Sequence, residues 1–402
     1  MRIATGLRRR RALTAAVAVA ATAGIGLSVP AIAAQAHAAG SSGMLVANET
    51  GSPAAVPWNR VGPGWTLALY SATQGGENIT PKAGPSTLYL VDPAGGRYRL
   101  FTWAAHSRQT QWYLLAWSGD TRRAMFVPNS ELYGSAHQQV FQLQLRTGKI
   151  SSFTLPANVS AVGYTRPDGL NILAERGANI APTATGSLMR FSLTGHLVKR
   201  LGTVQGLGAV AYQPTGTELA AGSQHGITLI SNAGGLIRRL PVPGVSDECG
   251  AVRWWSAGTI LATCSVGNAA GPQLWLVPAN GARPTALTPA RRGTDFDLGD
   301  FNAWKLSSGL YVDGLSGCGT LVIGKQPARG PEQQIRVPGA DSSLIVNATR
   351  SQLQIERFSE CVPGVSLVWF NPATHAMKVA IPLGHNQHGV VAVVPYFISG
   401  KF

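Results

Sequence analysis

The stretch Cys249-Gly-Ala-Val-Arg-Trp-Trp-Ser-Ala-Gly-Thr-Ile-Leu-Ala-Thr-Cys264 decides how the rest of the sequence is interpreted. Two apolar, β-favouring runs flank a short break at Ser256-Ala257-Gly258, which is the pattern of a β-hairpin. When the hairpin is folded about Ser256 and Ala257, the two cysteines lie opposite each other. A cross-strand disulfide between Cys249 and Cys264 is therefore sterically allowed.

Hairpins of this kind recur along the chain, and each repeat contains two turns. The turns of one series are Pro63-Gly64, Gly119-Asp120, Asp168-Gly169, Thr215-Gly216, Ala257-Gly258, Ser308-Gly309 and Thr349-Arg350. The turns of the other series begin at Asp92, Arg146, Leu193, Asn232, Pro278, Pro327 and Asn371. Their spacing of about 40 to 50 residues is the period of four-stranded propeller blades. The sequence therefore predicts an all-β fold, a single seven-bladed β-propeller, with six or eight blades as alternatives.

Two further features fit a ring of repeats. The run Val390–Val394 resembles the opening strand of a repeat, whereas the first repeat lacks one, so we expect the C-terminal strand to close blade one and remove an exposed sheet edge. An aromatic residue also recurs before the first-series turn, at Trp117, Tyr164, Tyr212, Trp254 and Trp304. We expect these rings to pack between neighbouring blades; the alternative is that they stack on a ligand.

The N-terminus has the pattern of an export signal. Arg2 and Arg8–Arg11 precede a small-residue apolar run, and Ala34-Gln35-Ala36 and Ala36-His37-Ala38 both fit a cleavage site. Residues 1–38 are predicted to be a signal peptide, read by the general or the twin-arginine route, with an uncleaved anchor as the alternative. Residues 39–60 are predicted to be a lead-in segment, and residues 61–402 the propeller domain of a secreted, extracellular or cell-wall associated monomer.

Composition limits the classes of partner. The net charge of the full chain is +15. Five of the 33 basic residues lie in the predicted signal, and the other basic residues still outnumber the 18 acidic residues. A basic exported protein is attracted to anionic walls, lipids or polysaccharides, although solubility alone is a sufficient reason for its charge. Because no Lys/Arg block interleaved with aromatic residues follows the signal, nucleic acid is not expected as a partner. No transmembrane segment is expected in the mature chain.

All four cysteines lie in the C-terminal half, and an even number in an exported chain predicts two disulfides. Three pairings exist, of which we favour Cys249 with Cys264 and Cys318 with Cys361. The last two occupy equivalent positions in adjacent repeats. A thiol nucleophile or metal site is the alternative, but the spacings match no zinc pattern.

Several short motifs resemble a known family. Trp117-Ser118-Gly119-Asp120, Arg166-Pro167-Asp168-Gly169 and Trp255-Ser256-Ala257-Gly258 resemble degenerate copies of the Trp-Ser-Pro-Asp-Gly motif of TolB-like and WD40-like propeller repeats. The whole chain resembles exported, uncharacterised TolB-like proteins of high-GC bacteria. The resemblance implies the propeller fold and, at most, binding of a protein or an envelope component. The partner-binding N-terminal domain of TolB has no counterpart in this chain.

Polar residues collect on one predicted face, where the first strand of a repeat begins and its second strand ends. The tentative ligand-binding residues there are Asp247, Glu248, Asp295, Asp297, Asp300, His385 and His388. Three of these aspartates could hold calcium or act as general acid and base, although turn residues that cap their own backbone have the same pattern. His385 and His388 could bind a metal, but neither a cofactor nor a metal site is expected.

The expected function is an exported binding or scaffold protein, without catalytic residues, that recognises an unidentified extracellular protein or envelope ligand through this loop-rich face. The enzymatic alternative is a propeller hydrolase or lyase acting on a cell-wall carbohydrate or lactone. A structural wall-associated protein held by its basic charge is a third alternative.

Overall fold

The computed structural model describes residues 44–72, 84–106, 112–131, 137–177, 185–205, 210–267, 271–290, 299–316, 320–358, 364–384 and 389–396. This part of the chain is almost entirely β-structure, with short 3-10 helices at Pro53–Ala55 and Asn129–Glu131. No helix within these ranges is long and apolar enough to cross a membrane. The all-β prediction is confirmed.

The strands are short and follow one another along the chain. The first ones are β1 (Thr50–Gly51), β2 (Thr66–Ser71), β3 (Gly84–Val91), β4 (Arg97–His106), β5 (Trp112–Trp117), β6 (Arg123–Pro128), β7 (Gln139–Gln144), β8 (Ile150–Thr154), β9 (Val159–Tyr164) and β10 (Asn171–Arg176). They are followed by β11 (Thr185–Ser192), β12 (Leu197–Gln205), β13 (Val210–Tyr212), β14 (Glu218–Ser223), β15 (Gly226–Ser231), β16 (Leu236–Pro241), β17 (Val245–Ser256), β18 (Thr259–Val266), β19 (Gln273–Pro278) and β20 (Thr285–Ala286). The last are β21 (Asp300–Leu306), β22 (Gly309–Leu315), β23 (Leu321–Gln326), β24 (Gln333–Ile335), β25 (Ser342–Ala348), β26 (Leu353–Phe358), β27 (Val365–Phe370), β28 (Met377–Ile381) and β29 (Gly389–Pro395).

Consecutive strands pair antiparallel into four-stranded units. Unit 1 consists of β29, β2, β3 and β4, and units 2 to 7 consist of β5–β8, β9–β12, β13–β16, β17–β20, β21–β24 and β25–β28. Units 4 and 5 form one eight-stranded sheet because β14 pairs with β17 at Ser223 and Cys249. Neighbouring units contact each other in sequence, and unit 7 contacts unit 1. Because dividing the eight-stranded sheet is a matter of definition, the seven-blade count stays a prediction.

The turns within units 2 to 7 lie where the sequence places them, whereas Pro63-Gly64 precedes β2 without forming a hairpin, because the partner strand β29 comes from the C-terminal end. In units 1 to 6 the turn between the third and fourth strands contains a glycine with positive φ, for example Gly95 at 97° and Gly195 at 83°, whereas in unit 7 His375 has a φ of 58°. Side chains are strained in that conformation, which explains why glycine occupies these turns. The alternating apolar residues of the strands fill buried clusters between the units, such as the one that includes Leu173, Tyr212 and Leu219 of units 3 and 4.

The C-terminal strand closes the ring as predicted. β29 pairs antiparallel with β2 from Thr66 opposite Pro395 to Ser71 opposite Gly389. The predicted lead-in segment adds a fifth strand, because β1 pairs parallel with β4 at the outer edge of unit 1. Unit 1 is therefore assembled from both ends of the described chain.

A buried polar network joins unit 7 to unit 1 at this seam. The hydroxyl of Thr66 donates to Oε1 of Gln354 at 2.6 Å, and Nδ2 of Asn347 donates to the Thr66 hydroxyl at 2.9 Å. Nε1 of Trp369 donates to the carbonyl of Asp92 at 3.1 Å. Buried groups that are paired in this way fix the geometry of the interface, since misalignment would leave them without partners.

The recurring aromatic residues are buried, and two of them bond directly to the preceding unit. Nε1 of Trp254 in unit 5 donates to the carbonyl of Ala211 in unit 4 at 3.0 Å. The Tyr164 hydroxyl in unit 3 donates to Oε1 of Gln142 in unit 2 at 3.4 Å. These contacts support packing between blades, rather than ligand stacking, as the role of the repeated ring.

Candidate functional site

The cysteine hairpin folds as the sequence predicts. Cys249 of β17 lies directly opposite Cys264 of β18, both side chains are buried, and their sulfurs are bonded. The disulfide joins the two strands of unit 5 near the loop-rich face, where β17 begins and β18 ends. Cys318 and Cys361 lie outside the described residues, so their pairing stays a prediction.

Few of the predicted ligand-binding side chains lie in the described ranges. The side chain of Asp247 and the whole of Asp295, Asp297, His385 and His388 fall outside them. The calcium site, which would use Asp295, Asp297 and Asp300, therefore stays a prediction. Among the described residues, no group of three or more His, Cys, Asp or Glu side chains is arranged to hold a metal.

The two predicted acids that are described occupy different units. Glu248 precedes the disulfide in unit 5 and is half-buried. Asp300 begins β21 in unit 6 and is only 1% exposed. Its amide donates to the carbonyl of Pro272 at 2.9 Å, and its carbonyl accepts the Thr263 hydroxyl at 3.5 Å. The Asp300 backbone thus bonds the first strand of unit 6 to unit 5.

An arginine that was not among the predicted site residues lies between the same two units. The guanidinium of Arg253, on β17, stacks over the ring of Trp304 on β21, with Cζ 3.7 Å from the ring centroid. Its Nη1 donates to Oδ1 of Asn302 at 2.5 Å. Nε and Nη2 are shielded from solvent and have no acceptor among the described residues. Among the described residues, Arg253 forms no ion pair.

Asp313, an ionisable residue of unit 6, interacts electrostatically with Arg253. Asp313 of β22 is fully buried, opposite Asn302 in the sheet, and its Oδ1 accepts the amide of Ile345 from unit 7 at 2.9 Å. Burial raises the pKa of Asp313 to about 8, although the Ile345 amide and Arg253 act in the opposite direction. Burial also lowers the pKa of Arg253 to about 9, which Asp313 opposes.

Burial thus opposes the ionised forms of both groups, so the Asp313 carboxyl compensates the charge of Arg253 less than an exposed aspartate would. A desolvated guanidinium over an indole ring is well suited to bind a carboxylate or another acidic group. We call the group of Arg253, Asn302, Trp304 and Asp313 the Arg253 cluster.

The sequence contained a signal for this cluster. Arg253 interrupts the apolar run from Ala251 to Trp255, and Asp313 interrupts the run from Leu310 to Leu315. A charged residue inside a strand that is otherwise apolar is rarely buried without a partner or a function. Hydrophobic patterning indicates the two strands but not that both residues lie beside the same tryptophan.

Comparisons with known proteins bear on the fold only. No protein-family model and no curated protein matches the chain. A putative 6-phosphogluconolactonase from Bacteroides uniformis has a similar structure, with a TM-score of 0.50 and 13% identity over 82% of this chain and 98% of its own. A prolyl endopeptidase has a TM-score of 0.50 and 12% identity over 79% of this chain, which spans about half (51%) of the endopeptidase. TolB from Acinetobacter baumannii has a TM-score of 0.44 and 12% identity over 82% of this chain and 66% of TolB.

The strand pairing, the closure by β29 and the structural neighbours together define the class: the chain is an all-β propeller. Identities this low show a common fold and carry no information on the substrate or partner.

Proposed function

We propose that this protein is an exported, non-catalytic binding protein that recognises an acidic group of an extracellular protein or envelope ligand at the Arg253 cluster, between units 5 and 6. The observation that carries the proposal is the half-buried Arg253, whose Nε and Nη2 have no acceptor among the described residues. Leaving such donors unpaired costs folding free energy, so a site that keeps them is a candidate for binding.

The surrounding structure supports this role. Arg253 is held by the Trp304 ring and by Asn302, so it does not have to become ordered when a ligand binds. The Cys249–Cys264 disulfide fixes the adjacent strand ends, and a disulfide is expected of the exported protein that the N-terminal pattern predicts.

The hydrolase or lyase alternative is less well supported by the described residues. General acid and base catalysis requires carboxyl groups that reach the substrate. Asp300 is buried, and Asp313 is buried and bonded to the Ile345 amide. The likeness to a putative 6-phosphogluconolactonase does not favour the enzyme, since it is limited to the fold.

The test is capture of a ligand from envelope extracts by immobilised mature protein, followed by affinity measurement. Arg253→Gln should weaken binding about 10- to 100-fold, because hydrogen bonds to charged groups contribute about 1.5–3 kcal/mol. Arg253→Lys should retain part of the affinity by keeping the charge. Arg357→Gln is the matched control, since Arg357 is also half-buried but its Nε and Nη1 donate to the Ser366 hydroxyl and the Pro338 carbonyl.

Thermal melting of each variant separates loss of binding from loss of folding. Equal affinity of Arg253→Gln and wild type would contradict the proposed site. Release of ring-opened lactone or of reducing sugar by wild type, abolished by Asp300→Asn, would favour the enzymatic alternative.

A further inference from the structure

A five-residue pattern occurs twice on the outside of the ring. The outermost strand of unit 3 contains Leu197-Val-Lys-Arg-Leu201, and that of unit 4 contains Leu236-Ile-Arg-Arg-Leu240. In each copy the last leucine is buried and the four residues before it are exposed. The buried leucine thus anchors each copy, while two aliphatic and two cationic side chains are exposed.

The two copies form one surface, which we call the outer patch (residues 197–200 and 236–239). The amide of Gly235 donates to the carbonyl of Leu201 at 2.7 Å, and Gly235 immediately precedes Leu236. Gly234 packs against the Lys199 side chain, and Nη1 of Arg190 donates to the Asn232 carbonyl at 3.2 Å. The turn that starts the second copy therefore rests on the first copy.

Units 1 and 2 are different at the corresponding position. In each case the turn of the following unit packs on an outer-strand side chain, which is Phe101 in unit 1 and Phe153 in unit 2. In units 3 and 4 these side chains are Lys199 and Arg238. Apolar packing at this contact is thus replaced by cations. In addition, the outer edge of unit 1 is covered by β1.

The two outer strands of units 3, 4 and 5 carry no acidic residue. Residues 185–205, 226–244 and 271–290 contain no Asp or Glu, but they contain Arg190, Lys199, Arg200, Arg238, Arg239 and Arg283. No ion pair involving these cations occurs within the described ranges. The charge of these strands favours an anionic occupant.

The aliphatic residues narrow the choice of occupant. Leu197, Val198, Leu236 and Ile237 are 48%, 51%, 57% and 44% exposed. A soluble polyanion would leave these side chains in water, and the centres of protein interfaces are enriched in aromatic residues, which the patch lacks. Aliphatic side chains beside Lys and Arg match the acyl boundary and the headgroups of an anionic bilayer.

We propose that the outer patch is a peripheral membrane-binding surface that takes an anionic lipid layer. This inference uses other residues than the Arg253 cluster, so each can fail without the other.

The test is sedimentation of the mature protein with vesicles of phosphatidylcholine alone or mixed with phosphatidylglycerol. We expect binding to the anionic vesicles, weak binding to the neutral ones, and release by salt. Lys199→Gln with Arg200→Gln should weaken binding about 10- to 30-fold, because each cation contributes about 1 kcal/mol at an anionic surface. Leu236→Ser with Ile237→Ser should weaken binding without removing the salt dependence.

Arg329→Gln with Arg350→Gln is the matched control, since both are exposed cations elsewhere on the ring and their loss should leave binding unchanged. Equal binding to neutral and anionic vesicles, or wild-type binding by the Lys199/Arg200 variant, would overturn the proposal. Binding to soluble polyglutamate but not to vesicles would also overturn it and indicate an acidic polypeptide instead.

Discussion

Three carboxyl groups on the second strands of their units have a raised pKa because they are buried. Asp313 accepts one hydrogen bond, from the Ile345 amide, and burial raises the pKa of its carboxyl to about 8. Glu175 and Glu356 also lie on second strands, and burial raises the pKa of each to about 7. Residues of this kind reduce stability as they ionise, so the pH dependence of folding reports on them.

We expect Asp313→Asn to change that pH dependence. The pKa of Asp313 in the folded protein lies above its ordinary value, so its contribution is complete below about pH 4 and is lost as the pH rises towards 8. Because asparagine does not ionise, the variant should be more stable than wild type at pH 8, by up to about 5 kcal/mol for a pKa shift of this size. The two should be similarly stable at pH 4.

Urea denaturation at both pH values measures this difference. Glu175 and Glu356 are present in both proteins, so their contributions cancel in the comparison. Asp168→Asn removes an exposed carboxyl on a turn and serves as the control. A constant stability difference between Asp313→Asn and wild type from pH 4 to 8 would show that Asp313 does not ionise in this range.

At the scale of elements, the β17–β18 hairpin combines two functions. Its disulfide joins Cys249 to Cys264 at the loop-rich face, and Arg253 and Trp254 of the same strand contact units 6 and 4. One strand therefore contacts both neighbouring units while its start is fixed covalently. Loss of the disulfide should lower the stability of unit 5 more than it changes the contacts of Arg253.

We expect Cys249→Ser with Cys264→Ser to lower the free energy of unfolding by about 3 kcal/mol, the chain-entropy contribution of a loop of this length. Guanidinium chloride denaturation measures the loss. Because a reductant would also break the predicted Cys318–Cys361 disulfide, the comparison is made in a Cys318→Ser, Cys361→Ser background, where reduction should shift the midpoint as much as the Cys249/Cys264 substitutions do. An unchanged midpoint in the double variant would mean that the strand pairing alone holds the hairpin.

For the whole molecule, closure by β29 is the decisive contact. Its pairing with β2 and the Thr66–Gln354–Asn347 network join the two ends of the ring. Pairing strands that are far apart in the sequence costs conformational entropy. The contacts that offset this cost are all formed only when the ring is complete. The stability of the ring should therefore depend on the last described strand.

Deletion of residues 389–402 should remove most of the folding free energy, which is about 5–15 kcal/mol for a native protein. A cooperative melting transition should then be absent from circular dichroism. Deletion of residues 397–402 is the control, since it retains β29 and Tyr396, whose hydroxyl donates to the Gly119 carbonyl at 3.0 Å. A shortened chain without β29 that melts cooperatively near the wild-type temperature would contradict the closure model.

The sequence by itself determined the strands, the turns, the closing strand and the Cys249–Cys264 pair. These features depend on local alternation of apolar residues, on glycine at left-handed turns and on the position of two cysteines in one hairpin. Only the tertiary structure decided that Asp300 is buried and that Arg253 lies over Trp304. The stacking of one unit on the next sets these contacts, and side-chain alternation along a strand does not specify which residue of a neighbouring sheet it meets.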